Sequence, residues 1–252
     1  MGCRAGATKL CARATGAGVS ADKTPARQTL RQGRRGAASR AELARDSGGL
    51  RKNVPVVVPI AAVEQQGRHL PIFTDSMLLE EVVRTVAQRP GDRIVWNPPA
   101  LAGKLAPSSR LWGNIVPANQ AVFEARQRYR GRDDLLLLGA TYWLLRSRPR
   151  DENPAFVQDR MGHACEWETS MILKLAPHLV GDLGPIEPVP FGNPFEPGAR
   201  GWITRERSTP GHIGDPRQTS AVKGEILFHL FAGDVAAFLD RVIAWDGRSW
   251  DG

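Results

Sequence analysis

A chain of 252 residues, 42% of them apolar, can bury one sizeable core and suits a single α/β domain. Its net charge of +8 invites a nucleic-acid or anionic-lipid partner, but residues 1–53 hold twelve Lys/Arg against three Asp/Glu, leaving the rest at −1. No run of eighteen apolar residues occurs, which argues against a membrane span.

Residues 1–53 are rich in Ala, Gly, Arg and Ser and lack a sustained apolar face, so they read as a disordered basic extension ahead of a domain over 54–252. Nucleic-acid binding would rest on that extension alone, and the near-neutral remainder makes it the weaker reading. Cys3, Cys11 and Cys165 form neither a disulfide framework nor a Cys-x-x-Cys pair, which fits a reducing cytoplasm.

Val54 to Ile60 is a β-branched apolar run, expected as a strand buried on both faces of a parallel sheet. It leads through Ala61-Ala62-Val63 to Glu64, a position at a strand's carboxyl end where α/β proteins gather polar groups. Met77 to Gln88 has helical spacing, with Asp75 or Ser76 as the expected cap and Pro90-Gly91-Asp92 as the stop. Arg93 to Trp96 predicts a second strand, Asn97 to Arg110 a loop, Pro117 to Tyr129 a helix, and Leu135 to Leu138 a third strand. Gly162 to Leu175 predicts a helix ended by Pro177. Gly181 to Gly214 predicts a wrapped loop with short strands around Gly201 to Thr204, and Ser220 to Trp245 a final helix with a broad apolar face.

Two clusters carry candidate chemistry. Glu64-Gln65-Gln66-Gly67-Arg68-His69-Leu70-Pro71, followed by Thr74-Asp75, puts two carboxylates and an imidazole into twelve residues, an oxygen and nitrogen donor mixture suited to Zn²⁺ or Mn²⁺. The same acidic residues could equally be helix caps. Met161 to Ser170 places His163, Glu166 and Ser170 on one face of a helix that starts there. A neutral imidazole at such a place can pass a proton to a leaving nitrogen, while the alternative is a capping His with solvent-facing glutamates.

The first cluster resembles the E-Q-H-G-x-H-L-P-x-x-x-D signature of the creatininase (creatinine amidohydrolase) family, and the second its H-A-G-E-x-E-T-S signature. The resemblance runs from about Val54 to Trp245. Leu173 to Val180 and Gly211 to Pro216 also look like family segments. It implies a three-layer α/β/α sandwich with a mostly parallel sheet, a homo-oligomer (a hexamer), and Zn²⁺ or Mn²⁺ used to hydrolyse a C–N bond of a small cyclic or formyl amide. It implies Glu64 and Asp75 as metal ligands, His163 as acid/base, and Glu168 as the carboxylate that positions His163 or the water.

The chain departs from the pattern at two places. Gln66 stands where a histidine ligand is expected, leaving His69 as a substitute. The N-G-H-G-G-N segment survives only as Trp112-Gly113-Asn114-Ile115-Val116-Pro117, with Leu111 and Trp112 where Gly and His would stand. Residues 100–110 are too few for a strand, helix and strand, a unit of about 30 residues, so an internal deletion is expected to end just before Gly113. A catalytically impaired family member, acting as an assembly partner or not at all, is the alternative expectation. Trp143, Trp167 and Trp202 read either as pocket walls or as core.

Overall fold

The computed structural model describes residues 54–89, 94–97, 100–103, 110–193, 195, 200 and 204–248. All belong to the compact unit Arg35–Gly252. The expectations for residues 1–53, Trp202 and the strand around Gly201 lie outside the described residues.

The apolar run beginning at Val54 forms two strands, β1 (Val56–Val57) and β2 (Ile60–Val63), because Pro59 between them lacks a ladder donor. After the loop that carries the first cluster comes α1 (Thr74–Ala87), then β3 (Val95–Trp96), β4 (Ala100–Gly103) and α2 (Arg110–Arg128). Strand β1 pairs with β3 and β2 with β4, both parallel, in registers Val56 to Val95 and Ile60 to Ala100. A parallel pair requires a crossover, and α1 supplies it. The α/β class with parallel pairing is therefore as expected.

The strand run is not buried on both faces as expected. Val56, Val58 and Ile60 are each at least half exposed, alternating with the half-buried Val57 and the buried Pro59 and Ala61. The covered face meets α1 and the last helix through Val57, Ile94, Trp96, Val86, Ala236 and Leu239. Among the described residues, helix α2 makes no substantial contact with any named element that would cover the other face.

Three further expectations shift. The chain enters α1 through Phe73 with no side-chain cap, placing Asp75 inside the first turn rather than at the cap. Helix α2 begins at Arg110, not at the expected Pro117, and keeps that favoured helix-start residue inside it. Leu135 to Leu138 is not a strand: no neighbouring strand accepts its backbone among the described residues, and Leu136 and Leu138 are exposed.

The short helix α3 (Pro149–Glu152) precedes α4 (Glu166–Leu175), then α5 (Thr204–Arg207) and α6 (Ala221–Ala244). Ser220 caps α6 by accepting from the Lys223 N–H at 3.2 Å. The core lies where α4 crosses α6 beside α1, with Leu78, Val82, Trp167, Met171, Ile172, Leu227 and Phe231 buried. Gly224 allows that crossing, since a Cβ there would collide with the Ser170 carbonyl. Trp167 is core, stacked at a tilt 6.1 Å from Phe231, and Trp143 packs against the same cluster.

Candidate active site

The site is built on the loop that leaves β2. The Glu64 N–H donates to the Ile72 carbonyl at 3.2 Å, folding residues 64–72 back on themselves. Gly67 sits at φ 65°, and a Cβ there would lie 3.0 Å from the His69 ring. Any other side chain would be strained in backbone and would push His69 out of place.

His69 is buried (3% exposed), and its Nε2 shares a 3.0 Å hydrogen bond with Thr169 Oγ1. His212 meets it edge-on, ring centres 6.0 Å apart, and His212 Nε2 is itself bonded to the Glu187 carbonyl at 2.9 Å. Burial first, and His212 second, lower the His69 pKa to about 4, with a weaker opposing pull from the Ala164 carbonyl. The ring therefore joins the first loop to α4 as a neutral group.

The second cluster arrives from the opposite side. An antiparallel bridge with Ile213 fixes the His163 backbone. The His163 Nε2 lies 2.7 Å from the Gln65 carbonyl, an oxygen that can only accept, so the ring proton sits on Nε2. Its Nδ1 faces Glu64 Oε1 at 3.9 Å. Residues 64 and 163 thus meet despite their distance in sequence. Gln65 steadies the contact, its amide donating to the Gly211 carbonyl at 3.1 Å.

Asp75 lies in the first turn of α1, where the helix N-terminus favours a negative charge. Gln66, 1% exposed, donates from Nε2 to Asp75 Oδ1 at 2.7 Å. The other end of that amide, Oε1, is buried without a hydrogen-bond partner. Tyr142 was not singled out in the sequence, yet burial first, then the charges of Asp75 and Glu168, raise its hydroxyl well above the usual phenol range.

Glu168 is 7% exposed and reaches back to the Cys165 N–H at 3.4 Å, forming a capping box at the start of α4. Glu166 is not solvent-facing: it is fully buried and accepts from the Val157 and Gln158 N–H groups and from Lys223 Nζ at 2.5 Å. Burial, then Glu168, pushes the Cys165 thiol up to about 12, so it behaves as filling rather than as a nucleophile.

Among the described residues no three of His, Cys, Asp and Glu come together as a metal-holding group. The oxygen donors available beside one another are the Asp75 carboxylate and the Gln66 amide, with Glu64 two residues earlier on the same loop.

An α/β chain that gathers carboxylates and an imidazole beyond the carboxyl end of a parallel strand has the layout of an α/β enzyme. The creatininase (creatinine amidohydrolase) family model matches residues 39–110 and 111–239, and the chain belongs to that family. The match begins ahead of the domain boundary expected at 54, and its two parts abut at Arg110 and Leu111.

The mycofactocin precursor peptide peptidase of Mycolicibacterium smegmatis is 29% identical over 221 residues, 78% of this chain and 87% of that protein. Among solved structures, a mutant creatininase of Zn-Zn type (TM-score 0.55, 21% identity) covers 79% of this chain and 93% of its own. A creatininase in a Mn form (TM-score 0.55, 20% identity) has the same coverage. These likenesses show the fold.

Proposed function

We propose that this chain is a metal-dependent amidohydrolase that cleaves an amide C–N bond with the groups assembled beyond β2. One observation carries the reading: Glu64 and His163, from separate clusters, face each other at 3.9 Å, with Asp75 held to the same loop through Gln66. Glu64 and Asp75 would hold the ion, which the Zn and Mn forms of the structural neighbours support. The ion, when bound, supplies an activated water and polarises the amide carbonyl.

The chain's own residues do the rest. His163 keeps its Nε2 proton on the Gln65 carbonyl, so a proton taken up at Nδ1 sits against Glu64 and is available to the departing nitrogen. Glu168 orders the start of α4 and with it the approach of His163. The name of the Mycolicibacterium smegmatis relative favours a peptide as substrate over the small cyclic or formyl amide implied by the sequence resemblance. Assembly as a homo-oligomer in a reducing cytoplasm belongs to the same proposal. No helix among the described residues is long and apolar enough to cross a membrane.

The test is metal analysis of the purified full chain followed by assay on peptide and cyclic amides with Zn²⁺ or Mn²⁺. Metal-dependent turnover is expected, reduced about a hundredfold or more by His163→Ala, the usual range for a lost acid/base group. No bound metal after reconstitution, together with no turnover, overturns the reading.

A second reading, a family member that has lost hydrolysis, has its own support. The family match breaks at Arg110, where the sequence lacks the N-G-H-G-G-N histidine, and Gln66 stands where the sequence resemblance implies a histidine ligand. Turnover by the unmodified chain removes this alternative.

A further inference from the structure

We propose that Gln65 is a positioning residue: its side-chain amide locks two loops together so that its own main-chain carbonyl holds the neutral His163 ring in one tautomer, with a bare Nδ1 turned to Glu64. The inference rests on the reading of His163 as the acid/base group and concerns what keeps that group ready.

The two ends of the Gln65 amide are engaged in opposite senses. Oε1 accepts from the Gly67 N–H at 3.0 Å, and Nε2 donates to the Gly211 carbonyl at 3.1 Å. A main-chain N–H can only donate and a carbonyl can only accept, so a half-turn of the amide would break both bonds at once. The orientation is therefore fixed from both sides. It brings Gln65 Nε2 within 3.3 Å of His163 Nε2, while the Gln65 carbonyl lies closer, at 2.7 Å. The ring must answer the shorter contact. A bare Nε2 would set two lone pairs against each other at that distance, whereas a protonated one makes a hydrogen bond.

Both anchor points are built for this amide. Gly67 and Gly211 have φ of 65° and 85°, and a Cβ on Gly211 would lie 2.5 Å from Gln65 Oε1. The Gly211 turn has its own support, since its N–H donates to Ser208 Oγ at 3.1 Å. Just beyond it, Ile213 exchanges main-chain hydrogen bonds with His163 at 3.0 and 2.8 Å. One short segment, residues 211–213, thus sets both the backbone of His163 and, through the amide, the carbonyl that receives its ring proton. Without the amide, the loop carrying that carbonyl loses its tie to the segment. Glu64 Oε1, 3.9 Å from Nδ1, then becomes the competing acceptor for a proton on the other nitrogen.

The full chain, with its histidine nitrogens isotopically labelled, is compared by NMR with Gln65→Met and Gln65→Ala at a pH where the His163 ring is uncharged. His163→Gln assigns the signals, and circular dichroism checks folding. The wild type is expected to show a single tautomer protonated at Nε2, and both variants a mixture with the Nδ1 form. On an amide substrate the variants should lose about tenfold in kcat with KM little changed, the effect of a slightly misplaced reacting group. A wild-type ring protonated at Nδ1, or variants that keep the wild-type tautomer, overturns the proposal while the hydrolase reading stands. A chain that turns over no amide, yet loses its single tautomer in Gln65→Met, keeps the positioning and loses the reaction it serves. Should Gln65→Ala not fold, Gln65→Met decides alone, since it keeps the length of the side chain and neither polar end.

Discussion

His69 is uncharged at neutral pH because burial and the neighbouring His212 hold its pKa near 4, against 6.5 for an exposed ring. The folded state thus binds the proton less readily than the unfolded chain does. Its contribution to stability is complete above about pH 6.5 and is lost as pH falls toward 4, because the unfolded state takes up the proton first. Urea titrations should therefore show unfolding free energy rising between pH 4.5 and 6.5, with a smaller slope in His69→Gln. Equal slopes in the two proteins would show that the ring is not held neutral. The same residue explains Gly67, since a side chain at 67 would meet the imidazole before anything else.

Helix α4 owes its position to a residue that looks expendable in the sequence. Glu166 has no solvent contact, and its carboxylate serves two main-chain N–H groups and Lys223, 57 residues later on α6. Removing one member of a buried ion pair leaves the other charged and unpaired, at a cost of about 3–5 kcal/mol. Glu166→Ala is expected to lose that much in denaturant unfolding, and Glu166→Ala with Lys223→Met to recover part of it. A loss under about 1 kcal/mol would place the pair among weak surface bridges.

Helices of this length were legible because their apolar spacing repeats over several turns: α6 runs from Ala221 to Ala244, within a residue of the limits expected from its sequence. The strands were less so, since an apolar run becomes a strand only where a neighbour accepts its backbone, and Leu135 to Leu138 finds none among the described residues. Within the site, the signature residues could be named from the sequence. Their commitments could not: Gln66 to Asp75, His69 to Thr169 and Glu166 to Lys223 are pairings between side chains whose proximity exists only after folding.

On the scale of the whole molecule, the exposed stripe Val56, Val58 and Ile60 stands opposite the covered face of the strands. Alternating exposed apolar residues on short strands favour association with other chains. Replacing Val58 and Ile60 by Thr should raise the concentration at which light scattering begins, with the circular dichroism spectrum unchanged. The same threshold in both proteins would mean the stripe is already covered in solution.

The buried Glu166 carboxylate also divides the candidate site into unequal halves. His163 descends from a segment clamped at Val157, Gln158 and Lys223, whereas Glu64 follows a strand only four residues long whose Ile60 is exposed, and Asp75 stands in the first turn of α1 beyond the same loop. Thermal fluctuation will therefore not loosen the site evenly. The side that carries the proposed acid/base is the firmer one, and the proposed carboxylate side is the one expected to open locally first.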